Sequence, residues 1–327
     1  RGRERARAPM AAPAAPATAL AAPAEASSSS FERGGWSFEA RRCPIWSSDR
    51  ADQLARELQL CKVPDMFCGD AALSMRHGAS GTSVELRACD ALLCCGWGTP
   101  GGAPSALAPE GPPGEPLLGR VQCEVAGRWK PRSDIPDVVE LEATSDWTCS
   151  TPYWGGVVRG GGPAEEPTGG EADGEAEELP WELLRRQDEI HWYDEVLFWE
   201  DELSDFGLCR SSVRVRVMPT FWFALLLCEL RVDNVLLREV ATRFYCSLDA
   251  DHMLREWTWR EASYEALRRR GVAPEASPHV SQCSSGTALL GPEDVRRQLR
   301  QRIPLWTAGA DRCGQPAAAS RGEGEAG

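Results

Sequence analysis

Residues 213–245 read VRVRVMPTFWFALLLCELRVDNVLLREVATRFY, and this stretch decides the fold. Val213, Val215 and Val217 alternate with Arg214 and Arg216, the period of a strand with one buried and one wet face. Pro219 breaks that strand, because proline has no N–H for the ladder. Phe221 to Val232 is apolar on both faces, which predicts a central strand. Asp233-Asn234 is a tight-turn pair tolerant of positive φ, and Val235 to Tyr245 then returns antiparallel. Met253 to Trp259 extends the pattern as a further strand. Hairpins in succession, with a few helical stretches around them, predict an α+β fold: one domain of antiparallel β-sheet flanked by α-helices.

Upstream, Trp181 to Phe206 reads as the clearest helix. Ile190, Tyr193 and Leu197 form one stripe, and Trp192, Val196, Trp199 and Leu203 an adjoining one, with Gly207 as its stop. Asp49 to Leu60 places Ala51, Leu54, Ala55 and Leu58 on one helical face behind Ser48. Ala71 to Leu86 reads as a hairpin, with turn residues at His77-Gly78 and Ser80-Gly81. Val121–Glu124 and Trp147–Thr151 are candidate strands. Glu261–Arg270, closed by Gly271, and Pro292–Arg302 are expected to be helices.

Low-complexity segments bound this domain. Residues 1–33 and 311–327 read as disordered tails around a domain at 34–310. Residues 1–30 have the Arg, Ala, Pro and Ser bias of an organelle transit peptide. Pro9, Pro13, Pro16 and Pro23 interrupt the amphipathic helix such peptides form, so a tail is the preferred reading. Residues 98–118 and 159–178 read as flexible insertions, the first dense in Gly and Pro. From Gly160 to Leu184 there are eight acidic residues and no Lys or Arg, a self-repelling solvated loop.

Composition excludes several function classes. The chain of 327 residues carries 36 Lys+Arg against 49 Asp+Glu, a net charge of −13, which argues against nucleic acid as a partner. Its longest apolar run, Phe221 to Cys228, is far short of the ~20 residues a membrane-spanning helix needs. Thirteen cysteines at irregular spacing, without a C-x-x-C pair, read as reduced thiols serving as small hydrophobes in a cytoplasmic protein. The same grounds argue against zinc.

Catalytic patterns are weak. Asp205-Phe206-Gly207 spells a kinase metal-binding tripeptide, but no Gly-rich loop or His-Arg-Asp loop accompanies it. Walker, G-x-G-x-x-G, H-E-x-x-H and G-x-S-x-G patterns are absent. Of four histidines, His77 reads as a locally bonded turn residue and His191 as structural. Asp249, Asp251 and His252 have the residue types of a divalent metal site, yet such a cluster more often forms a turn. Glu200, Asp201 and Asp205 are expected to share a helix face with Arg214 and Arg216 as partners, an arrangement for solvation and not for acid–base work across a cleft. No catalytic residue, metal or cofactor is assigned.

Val63-Pro64-Asp65-Met66-Phe67, followed by Gly69-Asp70, resembles a segment of the TIPRL family, the TOR signalling pathway regulator-like proteins related to yeast Tap-interacting protein. Asp90-Ala91-Leu92, Asp146-Trp147-Thr148, Glu200-Asp201-Glu202-Leu203, Val215-Arg216-Val217-Met218-Pro219, Arg231-Val232-Asp233, Thr242-Arg243-Phe244-Tyr245 and Met253-Leu254-Arg255-Glu256 follow in the family's order. The resemblance covers about Gly35 to Leu305. It implies an antiparallel-sheet domain that is a binding protein and not an enzyme. Its partners would be catalytic subunits of type 2A-like serine/threonine protein phosphatases, held in a low-activity form within TOR signalling, and the free protein would be a monomer. The family's contact positions fall at Asp90, Leu179, Glu239, Ala241 and Trp257. Glu239 and Ala241 stand where the family has Met and Asp, and Trp257 where it has Tyr. A scaffold that has lost the phosphatase and a carboxylate-based enzyme are the alternatives.

Overall fold

In the computed structural model the described residues are 22–58, 63–95, 120–124, 138–142, 157–160, 177–186, 189–203, 207–277 and 285–305. The strands are β1 (Ser27–Arg33), β2 (Trp36–Arg42), β3 (Met66–Phe67), β4 (Ala72–His77), β5 (Ser83–Arg87), β6 (Arg120–Glu124), β7 (Val138–Glu142), β8 (Val157–Arg159), β9 (Trp192–Asp201), β10 (Gly207–Val217), β11 (Phe221–Val232), β12 (Leu236–Ser247), β13 (His252–Ser263) and β14 (Val295–Pro304). The helices are α1 (Ser48–Leu58), α2 (Ala88–Cys95), α3 (Trp181–Leu184) and α4 (Tyr264–Arg269). Two antiparallel sheets hold the domain. One runs β1-β2-β4-β5-β8, the other β14-β13-β12-β11-β10-β9-β3, and β6 and β7 pair separately as a ribbon. This is the α+β, antiparallel architecture the sequence predicts, with sheet the larger share.

The two sheets face each other across one core. From the first sheet, Trp36 and Phe38 reach Trp222 on β11, with ring centroids 4.8 and 6.0 Å apart. Val196, Val213, Val215, Ala224, Leu226, Phe244, Met253 and Trp257 supply the second wall. The central-strand expectation for Phe221–Val232 holds, since β11 has three strands on either side. Asn234 takes φ 61° in the β11–β12 turn, and Asp233-Asn234 closes it as expected. The β4–β5 hairpin closes through Gly81 at φ 67°, while His77 Nδ1 meets Ser80 Oγ at 2.9 Å. Burial holds the His77 pKa below its ordinary value, so its role is the local one the sequence indicates. Cys43, Cys68, Cys209, Cys228 and Cys246 are buried and Cys89 is half-buried. Burial pushes the thiols of Cys68 and Cys89 up to about 11, consistent with their reading as small hydrophobes.

Three helical expectations need correction. The long helix at 181–206 is one short turn, α3, followed by β9. Positions 196–199 of β9 are buried on both faces, and such a run mimics a helical stripe in sequence. Ile190 and Tyr193, expected inside, are 49% and 52% exposed. The helix expected at 292–302 is a 3₁₀ turn, Pro292–Asp294, that leads into β14. Pairing with β13 places Leu299 and Ile303 inside at the strand period. The helix expected from Glu261 begins three residues later, because Ala262 still pairs with Leu237 on β12. Ser263 caps it by accepting from Ala266 N at 3.1 Å, and Gly271 at φ 81° follows as expected.

The N-terminal segment expected as tail contains β1. Its serine run hides one anchor, Phe31, which stacks on Trp192 at 6.0 Å and 6°. Ser29 donates to the buried Asp194, which also pairs with Arg42. The candidate strand at Trp147–Thr151, all of the insertion at 98–118 and most of that at 159–178 lie outside the described residues.

Gly207 starts β10 and stops no helix. A Cβ there would lie 1.9 Å from the Arg231 carbonyl oxygen, closer than any real contact. Gly207→Ala is expected to cost about 1–3 kcal/mol, as other overpacked sites do. The loss would appear as a lower urea midpoint with an unchanged m-value.

Candidate functional site

The outward face of the seven-stranded sheet carries three cross-strand rows. Leu225, Arg243, Glu256 and Arg300 form one. Leu227, Ala241, Thr258 and Gln298 form the next. Glu229, Glu239 and Arg260 form the third. Alternation along each strand sends these side chains away from the core while their neighbours point into it. The rows are a network of charges on a partly apolar floor, because Leu225 and Leu227 are half-buried.

Glu229 and Glu239 stand directly opposite, a like-charge pair that destabilises unless each finds a partner. Glu229 accepts from Ser285 Oγ at 2.6 Å and from Thr287 Oγ1. Glu239 accepts from Arg260, at 3.1 Å from Nε and again from the guanidinium terminus, and lies 3.7 Å from Arg243. Arg243 also reaches Glu256 at 3.6 Å, donates to Thr258 Oγ1 at 2.6 Å and lies over the Trp181 ring at 5.8 Å. Burial pulls the Arg243 pKa down, against the pull of both carboxylates. Glu256 in turn accepts from Arg300 at 3.2 Å and Gln298 at 2.8 Å. Two carboxylates thus pair with three guanidinium groups, of which Arg300 also reaches Glu178, and each charge is desolvated only in company.

Of the five expected contact residues, this face holds Glu239 and Ala241. Glu239 is only 6% exposed, and Ala241 is fully buried between Leu227 and Thr258. Leu179 sits at the end of the face, buried with Leu184, Met218, Phe221 and Leu254, and it fastens α3 to the sheet. Trp257 is 1% exposed and points to the opposite, core face, beside Thr242 and Leu299. Cross-strand packing is its role in this structure. Asp90 belongs elsewhere, on α2 after β5, where its carboxylate is 4.0 Å from Arg87 and partly open to solvent. The structure therefore gathers Glu239, Ala241 and Leu179 around one face, sets Trp257 beneath it and leaves Asp90 apart.

Beside α2, Gly69-Asp70 organises a second polar cluster. Asp70 accepts from both Arg50 terminal nitrogens, at 2.6 and 2.8 Å, and from Trp46 Nε1 at 2.9 Å. The Arg50 hydrogen bonds hold the Asp70 carboxyl below its ordinary pKa. Arg50 stacks 3.6 Å over the Trp46 ring.

The carboxylates proposed for acid–base work do not converge. Glu200 and Asp201 are successive residues of β9, so they point to opposite faces. Glu200 pairs with Arg210 at 3.4 Å, and burial raises its pKa. Asp201 accepts from the backbone N–H groups of Asp65 and Leu203 at 3.1 and 2.7 Å, which makes it a structural acceptor. Asp205 lies outside the described residues. The expected partners Arg214 and Arg216 serve Glu195, at 2.8 Å, and the Leu184 carbonyl, at 2.8 Å. Asp251 and His252 meet at 2.8 Å, but the Arg302 guanidinium lies 3.0 Å from His252 Nδ1, where it occupies the position a cation would take. No group of three or more metal-ligating side chains occurs among the described residues.

Glu256, Arg260 and Trp181 were not foreseen as parts of this face. The alternation of Leu254, Glu256, Thr258 and Arg260 carried the signal, but its meaning depends on the register with Arg243 and Glu239.

A model of the TIP41-like family matches residues 66–268, from β3 to α4. The chain is 34% identical over 248 residues to a TIP41-like protein of Arabidopsis thaliana, covering 72% of this chain and 78% of that one. Against the TIP41-like protein of Homo sapiens it is 32% identical over 235 residues, 72% and 77% of the two chains. It is also 25% identical over 266 residues to the type 2A phosphatase activator TIP41 of Saccharomyces cerevisiae, 80% and 71% of the two chains.

Proposed function

The chain belongs to the TIP41-like family, and from that membership we propose that it is a non-enzymatic regulator which binds catalytic subunits of type 2A-like protein phosphatases. It acts in the cytoplasm, within TOR signalling, as a monomer until it meets its partner, and it lowers the activity of the bound subunit. One observation carries the reading: the similarity to a yeast protein named for activation of a type 2A phosphatase spans 80% of this chain. That name gives the opposite sign for the yeast protein, so activity must be measured together with binding.

The five positions then divide by depth. Asp90 meets the partner directly. Leu179, Glu239 and Ala241 set the support, charge and depth of the outer sheet face, and Trp257 stiffens it from below. The net charge of −13 favours encounter with a subunit whose phosphate-binding groups are basic.

The test is a pull-down with purified type 2A catalytic subunit, followed by a phosphatase assay of the complex. Wild type should retain the subunit and reduce its turnover. Asp90→Ala, which removes a partly exposed side chain, should weaken retention about 10-fold, or about 1.4 kcal/mol, without moving the melting temperature. Wild-type protein that is folded by circular dichroism yet retains nothing would overturn the proposal.

A further inference from the structure

The seven-stranded sheet ends on β14, which pairs with β13 on one side and with no strand on the other among the described residues. Its backbone donors and acceptors on that side form a template for another chain. The other sheet edges are shorter: β3 has two residues, β8 three, β6 and β7 five each, and β1 seven with both Glu32 and Arg33 in it. β14 has ten residues, VRRQLRQRIP, with four arginines and no acid. In a chain with a net charge of −13, that is a basic strand on an acidic protein.

Two of these arginines already hold acidic residues of the chain itself. Arg300 pairs with Glu178 at 3.0 Å, and Arg302 lies 3.7 Å from Glu177. Arg296, at the bulge between the pairs Trp259–Arg297 and Arg260–Val295, and its neighbour Arg297 make no ion pair among the described residues, and Arg296 is exposed. A second copy of this chain would set arginine row against arginine row, so like charge disfavours edge-to-edge self-pairing. The same charge attracts a strand of opposite sign.

We propose that β14 is a docking strand for an extended acidic segment of a partner protein, which adds to the sheet as an eighth strand. Main-chain hydrogen bonds along β14 supply the affinity, and carboxylates placed on Arg296 and Arg297 supply the selection. The inference stands on the sheet edge alone and does not depend on which phosphatase, if any, the outer face binds.

Three labelled ten-residue peptides test it by fluorescence anisotropy with the full chain. One alternates Thr and Glu, one alternates Thr and Lys, and one is the Thr-Glu peptide N-methylated at every second residue. The Thr-Glu peptide should bind, and the Thr-Lys peptide should not. N-methylation, which removes strand donors but keeps charge, should weaken binding at least 10-fold. An Arg296→Ser, Arg297→Ser double variant, with unchanged melting, should weaken it at least 10-fold as well. No binding of the Thr-Glu peptide would overturn the proposal. So would equal binding of the N-methylated peptide, which would mark a charged patch only, or full binding by the double variant.

Discussion

Trp257→Ala will lower the free energy of unfolding by about 3–5 kcal/mol, the range for removing a large aromatic side chain from a packed core. The ring is almost fully buried, stands between Thr242 and Leu299 in the ladder, and packs in the main cluster that joins the two sheets. Urea denaturation followed by tryptophan fluorescence would read the loss. Natural domains are stable by only ~5–15 kcal/mol, so this one substitution removes a large share. A binding defect in this variant would therefore report unfolding. Trp257→Phe refills most of the volume, and it should recover more than half of the stability if packing is the residue's role. A melt unchanged in Trp257→Ala would mean that the ring is not in the core.

Glu239→Ala should cost about 2–3 kcal/mol. Breaking a buried ion pair by removing one partner typically costs ~3–5 kcal/mol, because the charge left behind is uncompensated. Two features of this site reduce that figure. Arg243 keeps Glu256 and Arg260 keeps the Leu290 carbonyl, 3.1 Å from its Nη1. Removing Glu239 also relieves its repulsion with Glu229, worth up to ~1 kcal/mol for a directly opposed pair. Glu239→Gln keeps the shape and one acceptor, so it should fall between wild type and alanine. A fully neutral Glu239→Ala in chemical denaturation would show that Arg260 and Arg243 do not depend on this carboxylate. The position also separates this chain from the Met that the TIPRL resemblance implies, and restoring Met leaves the same two arginines short of one charge.

The hairpins from β10 to β13 were legible because period-2 alternation and a positive-φ turn pair are local signals. Val213–Val217, Asp233-Asn234 and the β4–β5 turn show it. β9 and β14 lack clean alternation for opposite reasons: Val196 to Trp199 is buried on both faces, whereas Arg296 to Arg302 is polar on both except at Leu299. What makes them strands is the neighbour each pairs with, a tertiary fact. β1 was hidden in the same way, by a serine run whose value lies in Asp194 far along the chain. The site was less legible than the fold. Asp90, Leu179, Glu239, Ala241 and Trp257 came only from resemblance. Nothing in a linear sequence says that Trp257 points inward while Glu256 and Thr258 point out, until the direction of one strand residue is fixed by its partners.

From β9 to β13 each strand pairs with the next across a short connection, whereas Met66 on β3 must find Glu200 on β9, and β8 must return to β5. The first group zips up by short-range closure, and the second pays loop entropy. That entropy rises only with the logarithm of loop length, about 0.6 kcal/mol for each doubling. The two low-complexity segments, 98–118 and 159–178, both fall between β3 and β9 in the chain, where the partners are already far apart in sequence. Extra residues there add little to a closure cost already incurred. The same number placed in the Asp233-Asn234 turn would multiply a two-residue loop and undo the hairpin. The order of the strands thus divides the chain into a half where evolution can lengthen connections almost freely and a half where it cannot.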